Sequence, residues 1–136
     1  MKQGLHAEEI ATYIEENLDK DLTLEEIAQE FHYSKSYIAR IFSKEEGCTI
    51  YQYIKKQRLN KAAQKLAETD EAIIDIAYEA HYGSQQAFTL AFRQVYFVAP
   101  QVYRRNYALL QKQAAFMPSI MAFYNRVQAF QRRLSA

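Results

Sequence analysis

Few side chains in this sequence have the type and spacing that catalysis or metal binding requires. Two histidines, His32 and His81, each stand directly before a tyrosine, and Cys48 is the one cysteine of the chain. No His or Cys lies at metal-ligand spacing from them, and Cys48 lacks the His and Asn signature of a cysteine nucleophile. We therefore predict no catalytic site, metal or cofactor. Each histidine is expected to fill a turn with positive φ, which His tolerates better than most residues.

The acidic residues are equally weak candidates for acid–base chemistry. Glu25, Glu26, Asp70, Glu71 and Asp75 fall where helices are expected to begin. Negative charge there stabilises a helix by opposing the positive end of its dipole. Because the chain also lacks a nucleophile motif and a Gly-rich phosphate loop, the sequence does not predict an enzyme.

Basic residues give a stronger signal, because they are gathered in blocks although the net charge is only +1. Residues 31–65 carry eight Lys or Arg against two acids, and residues 100–136 carry six and no acid. Residues 1–30 and 66–99 are net negative. A fold that collects the basic blocks on one face would attract a polyanion. Five residues of the first basic block could contact phosphates or could simply form the solvent-exposed side of a helix: Lys55, Lys56, Arg58, Lys61 and Lys65.

The bulk composition limits the classes of protein to which the chain can belong. Its 136 residues, 49% of them hydrophobic, suffice for one ordinary domain or two very small ones that share a core. Three Gly and two Pro favour helices with short connections. No apolar run reaches membrane-spanning length, the N-terminus lacks the apolar part of a signal peptide, and a single Cys fits a reducing compartment. We expect a cytoplasmic protein.

Hydrophobic periodicity and capping residues predict an all-α fold that positions these side chains. The spacing of apolar residues predicts helices over about 7–19, 24–31, 35–46 and 50–67. Thr23 with Glu26, and Thr49 with Gln52, have the spacing of capping boxes. Ser34 is a favoured N-cap and Gly47 a favoured helix end: these two residues would bound the third helix.

The same pattern then returns about fifty residues later. His81-Tyr82 echoes His32-Tyr33, and after one inserted residue four further positions match: Ser84 with Ser34, Phe88 with Ile38, Phe92 with Phe42, and Tyr103 with Tyr53. Pro100 suits the first position of a further helix. We therefore predict two helix-turn-helix units, 1–48 and 68–105, joined by a linker helix over 49–67.

A helix-turn-helix unit places its second helix in the major groove of DNA. Two units on one face of a duplex would meet groove segments about 34 Å apart, and an eighteen-residue linker helix spans roughly 27 Å. With the width of the flanking helices added, this spacer is of suitable length for binding adjacent groove segments.

Four stretches of the chain follow one another in the order of a known family. They are YSKSYIARIF (33–42), GCTIYQYIKKQRLNKAAQKL (47–66), IIDIAYEAHYGSQQAFTLAFRQ (73–94) and APQVYRR (99–105). The span from about 8 to 105 resembles the DNA-binding domain of the AraC/XylS transcription regulators, and is closest to the short, stand-alone members. The resemblance implies a bacterial transcription factor with seven core helices that binds double-stranded DNA as a monomer and recruits RNA polymerase. It leaves no room for a small-molecule effector domain.

The resemblance also implies which residues contact DNA. Four outward positions on each recognition helix match those of the family: Lys35, Ser36, Ala39 and Arg40, then Gln85, Gln86, Thr89 and Leu90. Four basic residues complete the predicted DNA-binding set: Lys56, Arg93, Arg104 and Arg105. Relatives carry Trp at Ser36, Gln at Ala39 and Arg at Leu90. We therefore expect DNA binding without the family's usual base preference.

Residues 106–136 lie outside the resemblance and form a basic C-terminal extension. From Pro118 onward, apolar residues follow one helical stripe: Ile120, Phe123, Tyr124, Val127, Phe130 and Leu134. Such a segment could pack on its own domain, pair with a second copy or bind a protein partner through 117–134, or contact DNA or a membrane surface.

Two functions from different classes are compatible with these patterns. The first is a sequence-specific regulator, an activator, that inserts two recognition helices into adjacent major-groove segments. The alternative is a protein-interaction module that titrates RNA polymerase or another regulator without reading bases. The uncharged residues Ser36, Ala39 and Leu90 favour this alternative, as does the apolar stripe of the extension.

Overall fold

A computed structural model describes residues 4–114 together with residues 126 and 129. Residues 4–114 form helices and contain no strand, so the all-α prediction is confirmed for this part of the chain. The predicted amphipathic helix over 117–134 lies outside the described residues apart from Arg126 and Ala129, which are helical and exposed. The helices of residues 4–114 are α1 (Ala7–Glu16), α2 (Leu24–Phe31), α3 (Lys35–Glu46), α4 (Ile50–Glu68), α5 (Ile73–Glu79), α6 (Gln85–Tyr96) and α7 (Pro100–Ala114).

Helices α2, α3, α4 and α6 begin at the polar residues that the sequence predicts. The hydroxyls of Thr23, Ser34 and Ser84 each accept the backbone N–H three residues further on, at 3.1 Å. Thr49 and Gln52 cap each other, and both of their hydrogen bonds are 3.0 Å long. These contacts satisfy N–H groups that have no partner within the helix, which is why the predicted starts are confirmed.

Other helix ends differ from the sequence prediction. Helix α1 ends at Glu16 instead of 19, because Asn17 leaves the helix and its side-chain amide donates to the Tyr13 carbonyl at 2.7 Å.

The predicted placement of acidic residues in first turns is only partly correct. Glu25 and Glu26 lie in the first turn of α2 as predicted. The placement of Asp70 and Glu71 in a first turn was wrong, since both precede α5.

The described chain divides into two compact units, and the boundary falls inside α4, between Gln57 and Arg58. The first unit has a core of aliphatic side chains from α1, α2 and α3 around Phe42, which is fully buried. The start of α4 adds Ile50 and Ile54 to this core. The rings of Tyr53 and Phe42 make a T-shaped contact, with 5.3 Å between the centroids.

The core of the second unit contains a cluster of aromatic rings. Phe92 is fully buried and contacts Phe88, Tyr96 and Tyr103, with centroid distances of 5.7, 4.6 and 5.4 Å. The Tyr96 hydroxyl donates to Oδ1 of Asn60 at 2.7 Å, which gives a polar group at the edge of this core a partner. The end of α4 contributes four aliphatic side chains to this core: Leu59, Ala62, Ala63 and Leu66.

The two helix-turn-helix turns use the same backbone device. His32 has φ +60° between α2 and α3, and His81 has φ +69° between α5 and α6. Left-handed backbone of this kind reverses the chain within a few residues, and His is among the residues that adopt it more readily. The prediction that both histidines occupy turns with positive φ is confirmed.

The ends of α3 and α6 also adopt left-handed backbone, but with different residues. Gly47 ends α3 with φ +77°, and Phe97, fifty residues later, ends α6 with φ +67°. The Phe97 side chain is 68% exposed, so its burial does little to offset the steric cost of this backbone. Phe97 is therefore a strained helix end.

Replacing Phe97 with glycine is expected to raise the free energy of unfolding by about 1 kcal/mol, because glycine reaches this φ without a Cβ clash. Urea denaturation followed by circular dichroism measures the change. The matched control is Gly47→Ala, where a Cβ would meet no atom within 4 Å, so any loss of stability reflects the backbone alone. A Phe97→Gly protein that is less stable than the parent would show that lost ring contacts and the added freedom of the unfolded chain outweigh the relief of strain.

Candidate nucleic-acid interface

Two buried side chains set the rotation of α3 about its axis. Ile38 and Phe42 are fully buried and lie one helical turn apart. The opposite face of the N-terminal half of α3 therefore points to solvent. Ser36 and Arg40 lie on that face and are exposed. The predicted residues Lys35, exposed, and Ala39, half-buried, lie at its edge, closer to the buried side.

Lys35 is held loosely at the start of this face. Its ammonium lies 3.1 Å from a carboxylate oxygen of Glu25 on α2, and both side chains are more than half exposed. The pKa of the Glu25 carboxyl is lowered by a backbone hydrogen bond and by Lys35. So exposed an ion pair is weak, because solvent screens it, and a phosphate can therefore compete for the ammonium.

Arg40 lies over an aromatic ring that sequence reasoning missed. Its Cζ is 5.6 Å from the centroid of the Tyr37 ring, within the range of a cation–π contact. The ring of Tyr33 stacks on Tyr37, with 4.8 Å between centroids and 19° between planes. The spacing of Tyr37 and Arg40, three residues apart on one helix, is the signal that could have indicated this contact.

Helix α6 presents an equivalent face of different chemistry. Phe88 and Phe92 are fully buried, as Ile38 and Phe42 are in α3. The exposed positions in its N-terminal half carry amides and an apolar side chain: Gln85, Gln86 and Leu90, the last 66% exposed. Thr89 is half-buried beside them, and Arg93 is exposed one turn further on. This face therefore carries no charge until the last turns of the helix.

The remaining predicted residues differ in how exposed their side chains are to a ligand. Arg105 is exposed on α7. Lys56 is half-buried on α4, and burial lowers the pKa of its ammonium. A phosphate nearby would favour the charged form of Lys56 and oppose that effect.

Arg104 is used inside the second unit. Its Nε donates to the carbonyl of Leu66 at 3.0 Å, and its Nη2 donates to the carbonyl of Glu71 at 2.7 Å. The guanidinium thus ties α7 to the last turns of α4 and to the loop before α5. These contacts favour a structural role for Arg104 over the predicted phosphate contact.

Cys48, which the sequence set aside as a nucleophile, belongs to the core of the first unit. Cys48 is buried, and burial raises the pKa of its thiol. Within the described residues no group of three His, Cys, Asp or Glu is arranged to hold a metal ion. No helix in the same part of the chain is long and apolar enough to cross a bilayer.

Comparison with known proteins agrees with this geometry. Residues 27–106, more than half of the chain, match the family described as a helix-turn-helix domain. The chain is 41% identical to the transposon Tn10 TetD protein of Escherichia coli over an alignment of 98 residues that covers 72% of this chain and 71% of TetD. It is 38% identical over 96 residues to the HTH-type transcriptional activator AarP of Providencia stuartii, covering 71% of each.

A solved structure shows the same fold at a comparable level of identity. The C-terminal domain of AraT, a response regulator from Geobacillus stearothermophilus, matches 78% of this chain and 88% of its own length, with a TM-score of 0.69 and 31% identity. The family match, the relatives and the two helix-turn-helix faces agree. The chain belongs to the AraC/XylS family of helix-turn-helix, DNA-binding transcription regulators.

Proposed function

We propose that this protein is a transcription activator of the bacterial cytoplasm that binds a specific double-stranded DNA site and recruits RNA polymerase. Each unit inserts its recognition helix, α3 or α6, into its own segment of major groove, and the two segments are adjacent on one duplex. One observation carries the proposal: in both helices a buried pair one turn apart leaves the N-terminal half of the opposite face exposed. Activation is supported by the likeness to AarP, which is named as an activator.

The two recognition helices read different bases in this proposal. Arg40 donates two hydrogen bonds to O6 and N7 of a guanine, the commonest specific contact in the major groove. Gln85 and Gln86 carry amides that pair with N6 and N7 of adenine, and Leu90 packs on a thymine methyl group. The α3 half of the site is therefore anchored on a G·C pair, and the α6 half on A·T pairs.

Basic side chains that contact phosphates supply most of the affinity. We assign phosphate contacts to four of the predicted residues, three of them exposed and Lys56 half-buried: Lys35, Lys56, Arg93 and Arg105. Each phosphate neutralised releases condensed counterions, so binding weakens steeply as salt rises. These contacts fix the register of the protein on DNA but carry no base information.

A protein-interaction module that does not read bases is the second candidate. It is favoured by the 66% exposure of Leu90, an apolar side chain on a face that the family uses for DNA. In that case RNA polymerase or another regulator would bind the α6 face. Association of two copies through 117–134 remains a prediction, as do the boundaries of the units at 48 and 68.

Selection from a random pool of duplexes distinguishes the two candidates. We expect an enriched consensus with a G·C pair in one half and A·T pairs in the other, recovered at both a low and a high salt concentration. Base contacts persist at high salt, whereas phosphate contacts weaken, so the consensus should sharpen as salt rises. Weak binding with no enriched sequence at either concentration would favour the interaction module.

Replacing Arg40 with alanine is expected to cost about 1–3 kcal/mol of binding free energy and to relax the preference at one G·C pair. Fluorescence anisotropy with the selected site, and with versions substituted at each position, measures both effects. Lys44→Ala is the matched control, since it removes one positive charge from the last turn of the same helix. An equal loss on all sequences from Arg40→Ala would show that Arg40 contacts a phosphate only.

The neighbouring residues Arg104 and Arg105 are expected to respond oppositely to methionine substitution. Arg104→Met should lower the free energy of unfolding by about 1.5–3 kcal/mol, because two carbonyls lose a charged donor, and should leave the salt slope of DNA binding unchanged. Arg105→Met should leave stability unchanged and reduce that slope by about 1. Urea denaturation and a salt titration of the dissociation constant measure the two quantities. The reverse pattern would place Arg104 on the phosphate backbone.

A further inference from the structure

An aromatic pair precedes Arg40 on the surface of the first unit. Tyr33 lies in the turn before α3, and its backbone N–H donates to the Ala28 carbonyl at 3.1 Å. Its ring is 40% exposed, yet it stacks on Tyr37 instead of turning to solvent. Tyr37 in turn lies under the guanidinium of Arg40. The three side chains form a continuous series of contacts that ends at the proposed base-reading group.

The middle ring of this series is itself held by the fold. Tyr37 is half-buried and packs against the core of the first unit, and its backbone N–H is bound by the Ser34 hydroxyl at 3.1 Å. Stacking of Tyr33 on Tyr37 restricts the ring further. The platform under Arg40 is therefore more ordered than a solvent-exposed tyrosine on a helix would be.

The second unit lacks both the platform and the arginine. The residue equivalent to Tyr37 is Ala87, and the residue equivalent to Arg40 is Leu90. Tyr82, equivalent to Tyr33, is half-buried and packs its ring on Phe88 at 5.7 Å. The first unit therefore has both the ring and the arginine, and the second unit has neither.

We propose that Tyr37, supported by Tyr33, is a positioning residue that holds the Arg40 guanidinium ready to contact guanine. This inference rests on the proposed function. An arginine side chain has many rotamers, and ordering it on binding costs entropy. A guanidinium that already lies over a ring loses less freedom when it pairs with O6 and N7, so the preorganised side chain discriminates more strongly. Tyr37 would increase the preference for guanine without touching the base.

A set of Tyr37 and Arg40 variants tests the proposal on the site selected from the random pool. The measured quantity is a ratio: the dissociation constant for the site with the G·C pair replaced by A·T, divided by that for the selected site. Both constants come from one preparation, so the ratio does not depend on the fraction of protein that is folded. The variants are Tyr37→Leu, Tyr37→Phe, Arg40→Ala and the double variant Tyr37→Leu/Arg40→Ala.

Tyr37→Leu keeps an apolar side chain against the core but removes the ring, and is expected to lower the ratio about 3- to 10-fold, the range of an exposed or partly desolvated cation–π contact. Tyr37→Phe keeps the ring and should retain most of the parent ratio. Tyr51→Leu is the matched control: it removes a tyrosine that is 76% exposed on α4 of the same unit, and the ratio should not change. In the double variant the loss should equal that of Arg40→Ala alone, because the ring acts only through the arginine.

Failure of the inference and failure of the proposed function give different results. If no consensus is enriched from the pool, the proposed function fails and the inference fails with it. If Arg40→Ala lowers the ratio but Tyr37→Leu does not, only the positioning role is overturned. A Tyr37→Leu loss that adds fully to that of Arg40→Ala would also overturn it, since the ring would then act independently of Arg40.

Discussion

Each proposed reading face depends on a pair of buried side chains one helical turn apart. Ile38 and Phe42 in α3, and Phe88 and Phe92 in α6, are all fully buried. An α-helix anchored at i and i+4 cannot turn about its axis without exposing one of them, at a cost of about 1.5–3 kcal/mol per side chain. The residues on the opposite face are thereby aimed at solvent, whatever their chemistry. Equivalent positions on the two faces, such as Arg40 in α3 and Leu90 in α6, can therefore carry different side chains without any change to the fold.

The features that could be predicted from sequence are those set by short-range chemistry. Ser34 and Ser84 accept hydrogen bonds from residues only three positions away, so the helix starts can be recognised in the sequence. The apolar positions recur at helical spacing, and the two copies of the pattern reinforce each other. Left-handed backbone at His32 and His81 was also predictable, because few residue types tolerate it at a tight turn.

The features that could not be predicted join residues distant in sequence. Glu45, near the end of α3, accepts the backbone N–H of Ala7 at 2.7 Å and so caps α1 across 38 positions. Arg104 reaches carbonyls of Leu66 and Glu71, and no local pattern separates it from Arg105 beside it. The exposed faces of α3 and α6 could be predicted from the sequence. The side chains that make structural contacts within the protein, such as Glu45 and Arg104, became evident only from those contacts.

Helix α4 contributes side chains to both cores. Its first turns place Ile50 and Ile54 among the aliphatic residues of one core, and its later turns place Leu59 and Leu66 against the aromatic residues of the other. Helix formation is cooperative, so fraying that begins in one half of α4 weakens the hydrogen bonds of the other half. We therefore expect the folding free energies of the two units to be linked through shared backbone, so that a destabilising substitution in one core lowers the protection of amide protons in the other.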